Sequence, residues 1–155
     1  MTGTSAALRL IEHGFVQLGA SLDLQPTASG TWNDSGLQVT LPVAGTYELD
    51  ASVRAAISAT SPVNTFISAR LWDVTAGAVV PGSETIVHQI SLAASAGVIT
   101  SGLNVTGPIQ VEYAVPGAHV VRLQGRRVNA TGASLGASIL ANTDGRTTLR
   151  FTRIA

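Results

Sequence analysis

Cysteine is absent from this 155-residue chain. That excludes disulfide bonds, thiolate metal ligands and a cysteine nucleophile. Lysine is absent as well, so all nine cationic side chains are arginine. We read this first as the imprint of a GC-rich genome, and second as a preference for bidentate pairing at interfaces. Charged residues make up only 12% of the chain, against about 25% in an ordinary globular domain. Thr, Ser, Asn, Gln, Gly and Ala must therefore cover the surface. Such a surface suits close-packed assemblies, where every charge needs a partner or costs free energy to desolvate. Nine acids balance the nine arginines, so no basic excess exists to neutralise phosphates, and no nucleic-acid partner is expected. No apolar run approaches the roughly 20 residues of a membrane span, and no membrane partner is expected. Residues 1–14 lack the basic start and apolar run of a signal peptide, so synthesis in the cytoplasm is expected.

Catalytic signatures are equally sparse. His13, His88 and His119 are far apart and form no H-x-x-x-H or H-E-x-x-H pair, and a zinc site needs three or four ligands. Each reads as a structural or surface histidine. Glu48 and Asp50 share one face of a strand. That arrangement is compatible with a glycosidase pair or a cation site; the competing reading is a solvated polar face balanced by Arg54. No nucleophile elbow, phosphate loop or calcium loop occurs. We expect no enzyme activity, no metal and no cofactor. Arg126-Arg127 is the only basic pair, read as a solvated strand end or a contact for an acidic partner. Aromatics amount to 5%. Only Trp32 and Trp72 could offer a stacking surface to a sugar, and burial in the core is the competing reading.

What the chain does contain is alternation. Tyr47, Leu49, Ala51 and Val53 alternate with Glu48, Asp50, Ser52 and Arg54, the pattern of a strand with one buried face. Residues 65–72, 109–113, 121–124 and 149–152 alternate likewise, and weaker strands fall at 36–41, 84–92, 98–105 and 135–141. Turn residues separate them at Pro42–Gly45, Ser61-Pro62, Thr75–Gly77, Pro81-Gly82, Gly107-Pro108, Pro116-Gly117 and Asn142–Gly145. Many short strands at this spacing specify an all-β fold: an antiparallel jelly-roll β-sandwich. The N-terminus carries two periods at once. Leu8, Ile11, Phe15 and Leu18 have helical spacing, whereas Leu18, Ala20, Leu22 and Leu24 have strand spacing. We divide the chain into an arm, residues 1–14, and a single sandwich domain, residues 15–155. An edge strand packed on its own domain is the alternative for the arm.

The segment Leu37-Gln-Val-Thr-Leu-Pro-Val-Ala-Gly-Thr-Tyr-Glu-Leu49 resembles the strand–turn–strand of the tumour-necrosis-factor and complement globular-head jelly rolls, through Pro42, Gly45 and Tyr47. The later order fits too: a Trp-bearing strand at 69–74, Pro81-Gly82, Gln110–Tyr113 and a closing strand at 147–154. Within that superfamily, segments 70–84 and 142–149 are similar to bacteriophage head-fibre and tail-fibre domains. The resemblance implies a homotrimer of a virion protein made in the host cytoplasm. It points to Tyr47 and Tyr113 as seam residues near the threefold axis, with core tyrosines as the alternative. On this basis the chain is expected to be a decoration protein on the outer capsid surface. It would bind the major capsid protein through an arm bearing Leu8, Leu10, Ile11 and Phe15. The alternative is a receptor-binding tail-fibre or tail-tip head that presents residues 55–64 and 129–136 to a host glycan or protein.

Overall fold

The computed structural model describes residues 11–95 and 98–155, and none of them is helical. The strands are β1 (His13–Gln17), β2 (Leu22–Asp23), β3 (Asn33–Leu41), β4 (Gly45–Thr60), β5 (Val63–Asp73), β6 (Ala78–Val79) and β7 (Thr85–Leu92). They continue with β8 (Thr100–Val115), β9 (His119–Thr131), β10 (Ser134–Ile139), β11 (Ala141–Asn142), β12 (Gly145–Arg146) and β13 (Thr148–Arg153). Two antiparallel sheets face each other. In the first, β4 is central: β8 pairs along one edge, while β13 and β10 share the other, flanked by β1 and β2. The second runs β3-β9-β5, with β7 and β6 sharing the far edge of β5. The principal strands thus follow the order β1-β13-β4-β8 over β3-β9-β5-β7, a jelly roll. The sequence-based expectation of an antiparallel jelly-roll sandwich holds.

The alternation read from the sequence sets the core. Tyr47, Leu49, Ala51, Val53, Ala55, Ile57 and Ala59 of β4 all point inward, opposite Ile67, Leu71, Val121 and Leu123 of the second sheet, and all are buried. Their partners in alternation form the outer faces. Burial of a Leu or Ile side chain contributes about 1.5–3 kcal/mol, so this run alone commits β4 to one register. A slip by one residue would put every one of these side chains in water.

Several expectations need correction. Gly107-Pro108 is not a turn. Both residues lie inside β8, which runs unbroken for 16 residues and pairs with β4 throughout. A proline is tolerated there because β8 is the edge strand of its sheet, so the missing N–H leaves no neighbour unpaired. Residues 55–64 and 129–136 are not long loops either. β4 reaches Thr60 and β5 starts at Val63; β9 ends at Thr131 and β10 starts at Ser134. At the N-terminus strand spacing prevails over helical spacing from His13 onward. β1 pairs with β13 in register, with Gly14 opposite Phe151. A Cβ on Gly14 would lie 2.3 Å from the Phe151 ring, so the glycine seats the strand over that aromatic.

The turn between β9 and β10 holds Gly132 at φ +68°, with the Pro62 carbonyl oxygen 2.7 Å from where a Cβ would be. Gly132→Ala therefore combines left-handed strain with a collision against backbone. It is expected to cost about 2 kcal/mol, read as a lower denaturant midpoint with an unchanged m-value.

Candidate functional site: an arginine–tryptophan platform

The outer face of the second sheet carries the most concentrated chemistry of the described residues. β5 alternation turns Phe66, Ser68, Arg70 and Trp72 outward, and β9 turns Arg122, Gln124, Arg126 and Val128 outward beside them. Trp32 directly precedes β3 and so lies next to Arg126, because Asn33 is the partner of Gly125. The guanidinium carbon of Arg126 sits 4.4 Å from the Trp32 ring centre, that of Arg70 sits 4.1 Å from the same ring, and Arg70 also lies 4.9 Å from Trp72. Arg126, Trp32, Arg70 and Trp72 thus form a ladder of alternating cations and indoles. Each cation–π contact contributes about 0.5–1 kcal/mol when partly exposed.

Hydrogen bonds fix the ladder's rim. Arg70 donates Nε to Gln124 Oε1 at 2.9 Å. Arg126 pairs with Glu84 at 2.7 Å, and its buried Nε has no hydrogen-bond acceptor among the described residues. Arg122 holds Asp34 and donates twice to Gln38 Oε1. Three arginines thus meet two carboxylates, and of the three Arg70 has no ion-pair partner among the described residues. Burial lowers the Arg70 pKa first, Glu84 works against that, and the neighbouring Arg126 lowers it further. The sequence offered burial in the core as the competing reading for Trp32 and Trp72; both lie half-buried on this outer face instead. The parity of Trp72 against buried Leu71 and Asp73 carried that information. For Trp32, just outside a strand, no local period existed to read.

A second polar centre joins the sheets. Asp73, at the end of β5, turns its fully enclosed carboxylate toward the first sheet. Its Oδ2 accepts from Tyr113 Oη of β8 at 2.6 Å and lies 2.6 Å from His119 Nδ1, while Oδ1 accepts the Ala76 amide at 2.8 Å. An ionised carboxylate only accepts, so the His119 bond places a proton on Nδ1. Burial works to raise the Asp73 pKa, but the bonds from Tyr113, Ala76 and His119 outweigh it and leave the carboxyl below its usual range. Burial and the adjacent carboxylate push Tyr113 up to about 12. His88, also inward-facing, places Nε2 3.1 Å from the Leu103 carbonyl of β8, and burial lowers its pKa.

Tyr47 and Tyr113 are direct cross-strand partners on the inner face of the first sheet. Tyr47 is 0% exposed, packs edge-on against Phe151 at 5.6 Å and donates its hydroxyl to the Val43 carbonyl at 2.9 Å. It closes its own turn and has no surface to offer a neighbouring copy; as a seam residue it is withdrawn. Tyr113 keeps partial exposure. Ile11 is 65% exposed and Phe15 58% exposed, Phe15 on the outer face of β1, while Leu8 and Leu10 lie outside the described residues. Asp50 pairs with Arg150 at 2.5 Å, not with Arg54, which instead bonds Asn142 and the Gly145 carbonyl. Glu48 lies opposite Glu112 on the same solvated face. The Arg126-Arg127 pair is not a solvated strand end: alternation sends Arg126 out to the ladder and Arg127 into the interior. No group of three or more metal-ligating side chains occurs among the described residues.

This geometry defines the chain as a jelly-roll β-sandwich with an aromatic–cationic outer face. Its fold is similar to that of VP2 in the infectious bursal disease virus subviral particle, with TM-score 0.54 and 11% identity over 99% of this chain and 37% of that one. A structure of the infectious bursal disease virus Gx strain gives TM-score 0.52 and 12% identity over 99% and 37%. The chain spans little more than a third of the length of these structures. No protein-family model matches the sequence, and no curated protein does.

Proposed function

We propose that this chain is a structural protein of a virus particle: a homotrimeric decoration protein on the outer surface of a bacteriophage head, bound to the major capsid protein and stabilising the shell. The observation that carries this reading is the charge-poor jelly roll itself, similar in fold to VP2 of a viral subviral particle. The Pro42–Tyr47 turn, closed by the Tyr47 hydroxyl on Val43, supports a jelly roll of the tumour-necrosis-factor type. Exposed Ile11 and Phe15 support an apolar docking arm that includes Leu8 and Leu10. The role is non-enzymatic and works by mass action: many copies that bind only the assembled lattice stabilise it. Apolar area covered by the arm contributes about 25 cal/mol per Å², less the cost of ordering it.

The second reading, a receptor-binding head of a tail fibre or tail tip that recognises a host glycan or protein, is favoured by one observation: both tryptophans stand on one outer face.

Copy number separates the two. Quantitative gel densitometry and electron microscopy of purified particles are expected to find hundreds of copies over the head. Particles lacking the protein are expected to lose their contents at lower temperature. A few copies at the tail would establish the second reading, and absence from particles would sink both. The free protein is expected to sediment at three times its 15.8 kDa chain mass.

A further inference from the structure

We infer that the Arg70–Trp72 end of the ladder is a binding site for an acidic sugar, a pyranose bearing a carboxylate. This holds for either location on the particle and does not rest on the decoration reading.

The guanidinium of Arg70 is the centre of this site. Two indoles, Trp32 and Trp72, lie against it within 5 Å. A guanidinium stacked in this way keeps only its in-plane N–H edge for hydrogen bonding. Its Nε is taken by Gln124. Among the described residues the two Nη groups have no hydrogen-bond partner and no carboxylate forms an ion pair with this arginine, although Glu84, paired to Arg126, is near enough to act on its charge. A planar, pre-aligned pair of donors is the fit for a carboxylate received bidentately. The rim around it has donors to spare. The side-chain oxygens of Gln124 and Gln38 are engaged by arginines, and their amide N–H groups have no acceptor among the described residues. A surface with surplus donors fits a ligand rich in acceptors, a carboxylate with ring hydroxyls. Among the described residues only one guanidinium lies over Trp72, and this indole supplies aromatic surface for the C–H face of a ring. An aspartate or glutamate of a protein partner would satisfy Arg70, but it would leave the glutamine amides unpaired.

The chain has two tryptophans, both in this ladder, so fluorescence excited where only tryptophan absorbs reports on this ladder. The full chain is titrated at constant ionic strength with glucuronate and N-acetylneuraminate, and separately with glucose, acetate and a glutamate-containing peptide. A saturable emission change with the acidic sugars is expected, at least tenfold weaker with glucose and with acetate. Arg70→Gln is expected to weaken it by at least tenfold. Arg70→Lys, which keeps the charge and the stem, is expected to do nearly the same, because the planar donor pair is lost. Arg70→Lys also keeps the test valid should Arg70→Gln not fold, and melting by circular dichroism establishes which variants are native. No saturable change, or an equal response to glucose, would overturn the inference. Equal potency of the peptide or acetate would overturn the sugar assignment and make Arg70 a receptor for protein carboxylates.

Discussion

Asp73→Ala is expected to lower the unfolding midpoint by roughly 6–12 °C. Three donors converge on this carboxylate, from Tyr113, His119 and the Ala76 amide, and its side chain is wholly enclosed. Truncation leaves all three without their acceptor, and breaking a buried charged hydrogen-bond centre costs about 3 kcal/mol or more. In a domain of this size each kcal/mol moves the midpoint by about 2–4 °C. Asp73→Asn should be milder, near 1–2 kcal/mol. Its carbonyl can face Tyr113 and His119, but its NH2 then confronts the Ala76 N–H. A melting scan of both variants decides the matter; equal midpoints for wild type and Asp73→Ala would show that water replaces the carboxylate.

The same centre sets a pH dependence whose sign is fixed. The Asp73 pKa is lower folded than unfolded, so its contribution is complete above about pH 4, the unfolded value, and fades as pH falls through the folded one. Tyr113 behaves oppositely. Its folded pKa is about 12, above the unfolded value near 10. Its contribution is complete below about pH 10 and is lost as pH rises toward 12. Denaturant midpoints of wild type should therefore fall between pH 10 and 12, and Tyr113→Phe should flatten that decline.

How much of this was legible in the sequence follows from what period two can encode. The pattern of β4 by itself places Tyr47, Leu49, Ala51 and Val53 inside, and the same parity marks β5, β9 and β13. It could not say where a strand ends. β8 crosses Gly107-Pro108 because it is an edge strand, and edge status is a property of the whole sheet. Nor could it say which inward polar residues meet. Tyr113 and His119 lie 40 and 46 residues from the Asp73 carboxylate they share, and a single sequence has no signal for such a pairing. Tyr47 was a seam candidate by resemblance alone. Its place inside the alternating run, between outward Thr46 and Glu48, already favoured the core. The ladder was half legible: parity puts Arg70 and Trp72 on one face, but only the β3–β9 register brings Trp32 over Arg126.

Arg127 carries the second large expectation. It is the most deeply buried arginine of the described residues, 7% exposed, and it has no carboxylate partner among them. Instead its guanidinium donates to backbone carbonyls of the β2–β3 connection: Thr27 at 2.5 Å, Leu24 at 3.3 Å and Gln25 at 3.4 Å, with Ser134 Oγ at 3.4 Å. One side chain thus fastens a connection that has little regular structure of its own. Arg127→Ala removes these donors and leaves a cavity, and is expected to cost about 3–5 kcal/mol. The damage should be directional. Residues 24–31 should become the first site of proteolysis, and Trp32, at the end of that connection, should shift its emission to the red as it leaves Arg126. Arg127→Lys offers one ammonium where a fork is needed and should recover only part of the loss. If Arg127→Ala melts within about 1 kcal/mol of wild type with unchanged emission, the carbonyls are reached by water and the connection holds without its anchor. If emission shifts as expected, the two adjacent arginines act together: Arg127 fastens from inside the connection that Arg126 needs, on the outside, to keep Trp32 in the ladder.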